Sequence, residues 1–221
     1  MAFAASTNPV VASLAGGRDT ELADLGNYYV GVSPTVGTGN IGTSTVVLFT
    51  ETTPILTLYN SGSLNIYPMQ WNLHCTVVGA TAPTIALMYT FTLDTGDRRS
   101  SAGTLLTISN TNMASSASSG AVIYTGAPVA TAASGSRRVV AHVPMEGNSV
   151  NPVHHTHTFS WGQPGTLVPS VLIDNTTTLS HQAKSLPPMV IGPGQSLVVV
   201  RWSPAITTAP TYEHQFSFVE K

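Results

Sequence analysis

The stretch WNLHCTV, residues 71–77, alternates apolar and polar side chains along its whole length. In an extended strand its apolar residues, every second one from Trp71 to Val77, point to one face and the polar residues point to the other. The stretch TIALMYTFTL, residues 84–93, has the same period of two. Because strands with one apolar face belong to antiparallel sheets, these two stretches predict an all-β protein.

Short β-like runs with turn signals between them continue from about residue 44 to the end of the sequence. None shows the apolar period of an amphipathic helix, so the helices that parallel βαβ units need are not predicted. We expect an antiparallel β-sandwich of jelly-roll type over residues 44–221, with about eight to ten strands. The clearest predicted strands are 45–50, 55–59, 71–78, 84–93, 121–125, 138–143, 155–161, 167–173, 196–202 and 212–219.

The first 43 residues differ from the rest of the chain. Asn8-Pro9 can begin one short helix and Asp19 another, and a glycine follows each. A Gly/Thr-rich extended segment comes after Tyr28-Tyr29. Because helices this short are marginal alone in water, we expect residues 1–43 to form an N-terminal arm on a partner surface, with Tyr28 and Tyr29 among its contacts.

Two polar interruptions, residues 110–119 and 129–136, are rich in Ser, Ala and Thr. Their length and composition predict protruding loops. They are either simple connections or contacts with a neighbouring subunit.

Only 8% of the 221 residues are charged, whereas about a quarter is usual. The polarity comes instead from hydroxyl groups, since the chain has 30 Thr and 23 Ser. Eight Lys plus Arg against ten Asp plus Glu give no basic field, so we expect no nucleic-acid partner. Burying neutral hydroxyls costs less than burying unpaired charges, so this composition suits subunits that pack side by side.

The sequence predicts folding in a reducing cytoplasm. Cys75 is the only cysteine, and it cannot form an internal disulfide. The N-terminus lacks the pattern of a signal peptide, and no stretch has the roughly 18 consecutive apolar residues of a membrane span. We therefore expect no membrane partner, and the glycosylation sequon Asn175-Thr176-Thr177 has little weight.

His155 and His157 share one strand face, which is the geometry by which cupin-type barrels hold a metal. Cupins add a Glu soon after this pair and a further His after a Pro-x-Gly, and both are missing here. His157 shares its face with Phe159 and Trp161, which fits an imidazole packed at a core. We expect structural histidines and neither metal nor cofactor; a metal site and a pH-sensitive subunit contact are the alternatives.

No motif for nucleophilic catalysis or phosphate binding occurs in the sequence. Cys75 lies on the apolar face of its predicted strand, where a thiol is usually inert. The ten carboxylates are not spaced as an acid/base pair. We therefore predict that the chain is not an enzyme.

Four of the six arginines occur as two pairs, Arg98-Arg99 in a turn and Arg137-Arg138 at the start of a predicted strand. They are either solvated charges that protect sheet edges or partners in salt bridges across subunits, and we take all four as candidate interface residues. Trp161 and Tyr124 are the residues that could stack on a glycan.

The run LPPMVIGPGQSLVVVRWSP, residues 186–204, joins a Pro-Gly-Gln-Ser turn to an apolar strand that ends in Arg-Trp. A closing strand, EHQFSFVE, follows at residues 213–220. Together they resemble the last strands of β-sandwich virion proteins of tailed bacteriophages. The likeness is sharp over about the final 40 residues and extends to the rest through the shared Thr/Ser/Gly/Ala richness and low charge.

This resemblance implies a non-enzymatic virion protein, folded in the host cytoplasm before assembly. The preferred function is that of a capsid cement or decoration protein that binds the major capsid protein and copies of itself. Trimers are natural at the threefold positions of an icosahedral shell, so we expect a homotrimer. One alternative is a head or tail fibre domain that contacts host glycans. An alternative of another class is a cupin-like metal-dependent enzyme or small-molecule binder.

Overall fold

The computed structural model describes residues 18–41, 49–77, 84–148, 155–162, 181–202 and 211–221. Its one described helix is α1 (Arg18–Asp24), and the other regular elements are strands, so the all-β prediction is confirmed. The strands are β1 (Tyr28–Val32), β2 (Asn40–Ile41), β3 (Leu56–Asn60), β4 (Ile66–Val77), β5 (Thr84–Thr95), β6 (Arg99–Leu105), β7 (Thr107–Asn110), β8 (Ala121–Ala130), β9 (Arg138–Asn148), β10 (Thr156–Trp161), β11 (His181–Leu186), β12 (Gln195–Trp202) and β13 (Thr211–Glu220).

The strands form two sheets. The first has the order β11-β10-β4-β13-β1-β7, with the short β2 also paired to β13. The second has the order β6-β8-β3-β12-β5-β9. Neighbouring described strands pair in antiparallel fashion, apart from β10 and β11, which run parallel.

The two sheets face each other across one apolar core, and Trp71 lies at its centre. Trp71 meets Tyr89 and Phe91 of the opposite sheet edge-on, each at 6.3 Å between ring centroids. It also stacks on Phe159 of the neighbouring strand at 5.4 Å. Along residues 71–76 the predicted alternation is confirmed, since the apolar residues up to Cys75 are fully buried and the polar ones between them are half-buried, whereas Val77 at the end of the strand is 55% exposed.

Strand β12 is buried on both of its faces. Leu197 and Val199 belong to the core, and Val198 between them, which points the other way, is equally buried. The pairing of β6 with β8 is irregular next to glycines with positive φ, among them Gly126 at +86°. Just before β6 the backbone N–H of Arg98 donates to Ser196 Oγ on β12. The start of β6 therefore lies against the outer face of the second sheet.

Part of the predicted arm belongs to the first sheet. Strand β1 lies between β13 and β7, and β2 pairs with β13. The physical reason is the apolar face of β1, where Tyr29 is 3% exposed and stacks on Phe218 at 5.6 Å. Residues 1–17 and 42–43 of the arm lie outside the described residues, as do the predicted strand 167–173 and most of 45–50.

We predict that Phe159→Ala lowers the free energy of unfolding by about 3–5 kcal/mol, because it removes a ring from the centre of the core. Urea denaturation followed by circular dichroism measures the loss. The control Leu64→Ala removes a side chain that is 48% exposed and should cost less than about 1 kcal/mol. Equal losses in the two variants would show that the aromatic layer does not dominate stability.

Candidate functional site

The two candidate metal ligands lie between the sheets. His155 and His157 are both buried, and their ring centroids are 5.0 Å apart. His157 Nδ1 is 3.0 Å from the hydroxyl of Tyr89 on the opposite sheet, and His155 Nε2 is 3.3 Å from the hydroxyl of Tyr212. Each imidazole therefore has a phenol as a hydrogen-bond partner inside the core.

A cation lies in the same layer. Arg201 on β12 is 2% exposed, and its guanidinium is 5.3 Å from the centre of the Tyr212 ring. Burial, reinforced by His155 and by the positive charge of Arg201, holds the pKa of His157 well below its ordinary value. His157 is therefore a neutral imidazole at pH 7.

His214 on β13 extends this layer. Its ring stacks on Trp71, with 5.8 Å between centroids and 27° between planes. Among the described residues neither of its ring nitrogens has a hydrogen-bond partner. Burial, with a further contribution from Arg201, lowers the pKa of His214 to about 3. His214 thus behaves as a flat, uncharged core residue.

Two further titratable groups of the layer, Cys75 and Tyr212, are also neutral. Burial raises the pKa of the Cys75 thiol to about 11 and that of the Tyr212 hydroxyl to about 12, although Arg201 acts against both shifts. A thiol with this pKa is protonated at pH 7 and is a weak nucleophile. Within the described ranges no group of three or more His, Cys, Asp or Glu is arranged to hold a metal ion. The layer offers packing and hydrogen bonds.

Arg98 is an internal residue of this chain. It is 3% exposed and forms an ion pair with Asp94. Its guanidinium also donates to the Thr131 carbonyl oxygen at 2.6 Å. The Asp94 carboxylate accepts from the backbone N–H groups of Thr95 and Ser134 at 2.7 and 3.0 Å. The pair therefore braces the turn after β5 against the segment that leads into β9.

Hydrogen bonding decides the ionisation of Asp94. Burial alone would raise the pKa of this carboxyl, but the donors of Ser134, Thr95 and Arg98 outweigh burial and lower it. Asp94 is therefore ionised at neutral pH, which matches its bond to the Arg98 guanidinium.

The remaining arginines lie nearer the surface. Arg99 sits over the ring of Tyr124, 3.5 Å from its centroid. Arg137 forms an ion pair with Glu51, and Arg138 is exposed at the start of β9. The structure thus separates the two predicted pairs, with Arg98 inside and Arg137-Arg138 outside; their role at an interface stays a prediction.

The aromatic candidates are mostly covered. Tyr29 and Trp161 are each 3% exposed, whereas Tyr28 is half-buried. Tyr124 is also half-buried, with Arg99 over its ring. Of the two proposed glycan contacts, Trp161 packs edge-on against Phe91 inside the core.

Two clefts open on the first sheet. The larger, of about 350 Å³, is mainly apolar and lies where β4, β10 and β13 meet α1. The smaller, of about 210 Å³, is more polar and contains His74, Glu213 and His214. The sequence singled out neither cleft, because each is built from strands that are distant along the chain.

Sequence reasoning also missed two key side chains. Asp94 could have been found from its spacing of four residues to Arg98 across a Thr-Gly turn. The signal for Arg201 was a lone charge inside the apolar run LVVVRW, residues 197–202.

No family model, no curated protein and no solved structure matches the chain. In the ranges that the structure describes, no helix is long and apolar enough to cross a membrane.

We predict that Asp94→Ala lowers the free energy of unfolding by about 3–5 kcal/mol, because it leaves the Arg98 guanidinium buried without its carboxylate. The double variant Asp94→Ala/Arg98→Met should recover most of that loss, since no charge remains buried. A double-mutant cycle by chemical denaturation measures both effects. Additive losses would mean that the two side chains do not act as a pair.

We predict that stability falls with pH below about 6.5, because the unfolded chain takes up a proton at His214 before the folded chain does. The contribution is complete above pH 6.5 and is lost as the pH falls towards 3. Between pH 7 and pH 5 it amounts to about 2 kcal/mol.

His214→Phe should remove about this much of the pH dependence and leave the protein folded at pH 7. Leu64→Ala, which changes no titratable group at an exposed position, is the control and should leave the pH dependence as it is in the wild type. Denaturation at pH 7 and pH 5 provides the measurement. An unchanged pH dependence in His214→Phe would contradict the neutral state of this imidazole.

Proposed function

We propose that the chain is a non-enzymatic structural protein of a virion, in the first place a capsid cement or decoration protein. The observation that carries this proposal is that the two candidate metal ligands form hydrogen bonds inside the core. His155 and His157 are bonded to the phenols of Tyr212 and Tyr89, so neither is directed at an external substrate. Function follows from such sites and not from the fold alone.

We also propose that the fold is a jelly roll. Eight of the strands follow the orders β1-β13-β4-β10 and β3-β12-β5-β9. Numbered along the chain these orders are 1-8-3-6 and 2-7-4-5, which is the pattern expected of two interlocked Greek keys. On this interpretation β6, β7 and β8 are an excursion between the fourth and fifth strands. Viral capsid proteins, lectins and cupins all use this architecture.

The surface supports a role among neighbouring molecules. Several large apolar side chains are strongly exposed, including Val36 at 91% and Met113 at 101%. In a chain with so few charges, exposed apolar side chains favour contact with another protein surface. The proposed partners are the major capsid protein and copies of this chain, in a homotrimer that folds in the host cytoplasm; no nucleic acid, membrane or cofactor is part of the proposal.

The cement role predicts that the purified protein binds shells assembled from the major capsid protein of the same virus and raises the temperature at which they rupture. Co-sedimentation and thermal rupture of the shells measure the two effects. A variant that lacks residues 1–17 keeps every described strand and tests the arm separately. Shells that neither bind the full chain nor gain stability would overturn the cement role, and full binding without residues 1–17 would overturn the arm alone.

The two other functions have direct tests of their own. A fibre domain that contacts host glycans would bind members of a glycan array at exposed aromatic positions. A cupin-like metal protein would contain stoichiometric Zn, Fe or Mn by elemental analysis.

A further inference from the structure

We propose that copies of this chain associate head to tail, with the surface around α1 of one copy docked on the start of β9 of the next. The inference rests on the proposed self-association and adds to it the two surfaces and their orientation.

The first surface, the helix patch, combines acidic and apolar side chains. It consists of Asp19, Glu21, Asp24, Leu25 and Met113, all of them exposed. α1 contains three carboxylates and one arginine, which is its first residue. No basic residue lies in its last turn. Three of the ten carboxylates of a charge-poor chain therefore lie on one seven-residue helix.

The apolar members of the helix patch are held in place. Asn112 Nδ2 donates to the carbonyl oxygen of Asp24 at 3.0 Å, and Asn110 Nδ2 donates to that of Gly26 at 2.7 Å. These bonds join the loop after β7 to the end of α1. Leu25, which is 66% exposed, and the fully exposed Met113 therefore lie on two segments that are bonded to each other. Such a surface loses little conformational entropy when it is covered.

The second surface, the strand patch, carries the opposite charge. It consists of Arg137, Arg138 and Val139 at the start of β9, and Val139 is 52% exposed. Arg137 already pairs with Glu51, whereas Arg138 has no ion-pair partner among the described residues. The strand patch thus offers a free guanidinium beside an exposed apolar side chain, which complements the helix patch in both charge and polarity.

The two patches lie on different sheets of the molecule. α1 leads into β1, which is next to β7 at the end of the first sheet. β9 is the terminal strand of the second sheet, where it approaches β11. Two complementary patches at different places on the surface make a head-to-tail contact, which closes into a ring or grows into a filament. A ring of three is the proposed trimer.

Both patches also lie at the same end of the strands. The backbone N–H of Glu220, at the end of β13, donates to the carbonyl oxygen of Asn27 just after α1. Arg138 is opposite Leu93, near the end of β5, and Gly96 beyond that end bonds to Gly194. Gly194 in turn bonds to Asn60, and residues 60–65 connect β3 to β4 at the level of Lys221. Copies can therefore meet at one level without tilting.

The test is the solution mass of charge-reversal variants. Asp24→Arg and Arg138→Glu should each weaken self-association at least about tenfold by sedimentation equilibrium at low salt, because each places like charges together. The double variant Asp24→Arg/Arg138→Glu should restore association. Lys184→Glu reverses an exposed charge outside both patches and is the matched control, with no change expected. Circular dichroism and thermal melting verify that every variant folds.

The outcomes separate this inference from the proposed function. A monomeric wild-type chain at low salt, single reversals without effect, or a double variant that stays dissociated would each overturn the head-to-tail contact. The shell-binding assay is independent of these results, because a chain can bind a capsid through other surfaces. Loss of shell binding with intact, charge-dependent self-association would overturn the cement role and leave the contact in place.

Discussion

The contact of Trp71 with rings from both sheets is the interaction on which the rest of the structure depends. Phe159 stacks on it within the first sheet, and Tyr89 and Phe91 meet it edge-on from the second. Aromatic pairs in these orientations add to the free energy gained by burying their area. Strand β10 is distant along the chain from the consecutive strands β4 and β5, and this cluster joins all three across the two layers.

The same layer explains why histidines, tyrosines and an arginine occur in the core. Each of these imidazoles is either bonded to a phenol or stacked on Trp71, as with His214, and His157 and His214 are neutral. Neutrality follows from burial beside Arg201, which disfavours a second positive charge. Histidine side chains that bind metals in other proteins therefore contribute packing to the core of this one. For this reason we propose a structural role, and we look for partner contacts on the surface.

Local patterns predicted what depends on neighbours in sequence. The period of two in residues 71–77 and 84–93 indicated buried strand faces, because a strand alternates its side chains whatever pairs with it. The candidate site could be predicted only in part: His157 was expected at the core, but its partner Tyr89 is 68 residues away.

Long-range pairing decided the rest. Tyr28-Tyr29 resembled an arm because a Gly/Thr-rich segment follows, yet β13, about 190 residues later, completes a sheet around it. From the sequence, Arg98 resembled a surface charge in a turn. In the structure it is internal, because the segment that contains Thr131 and Ser134 folds over the Arg98–Asp94 pair. The parallel pairing of β10 with β11 likewise has no local signal.

The most direct test of this account is a histidine titration by NMR, observed at the ring protons of His214 and His157. The account predicts that both rings stay neutral between pH 5 and pH 8, and that His214 titrates near pH 3 if the protein is still folded there. A midpoint near 6.5 for either residue would contradict it, because the ring would then be open to solvent or paired with an anion.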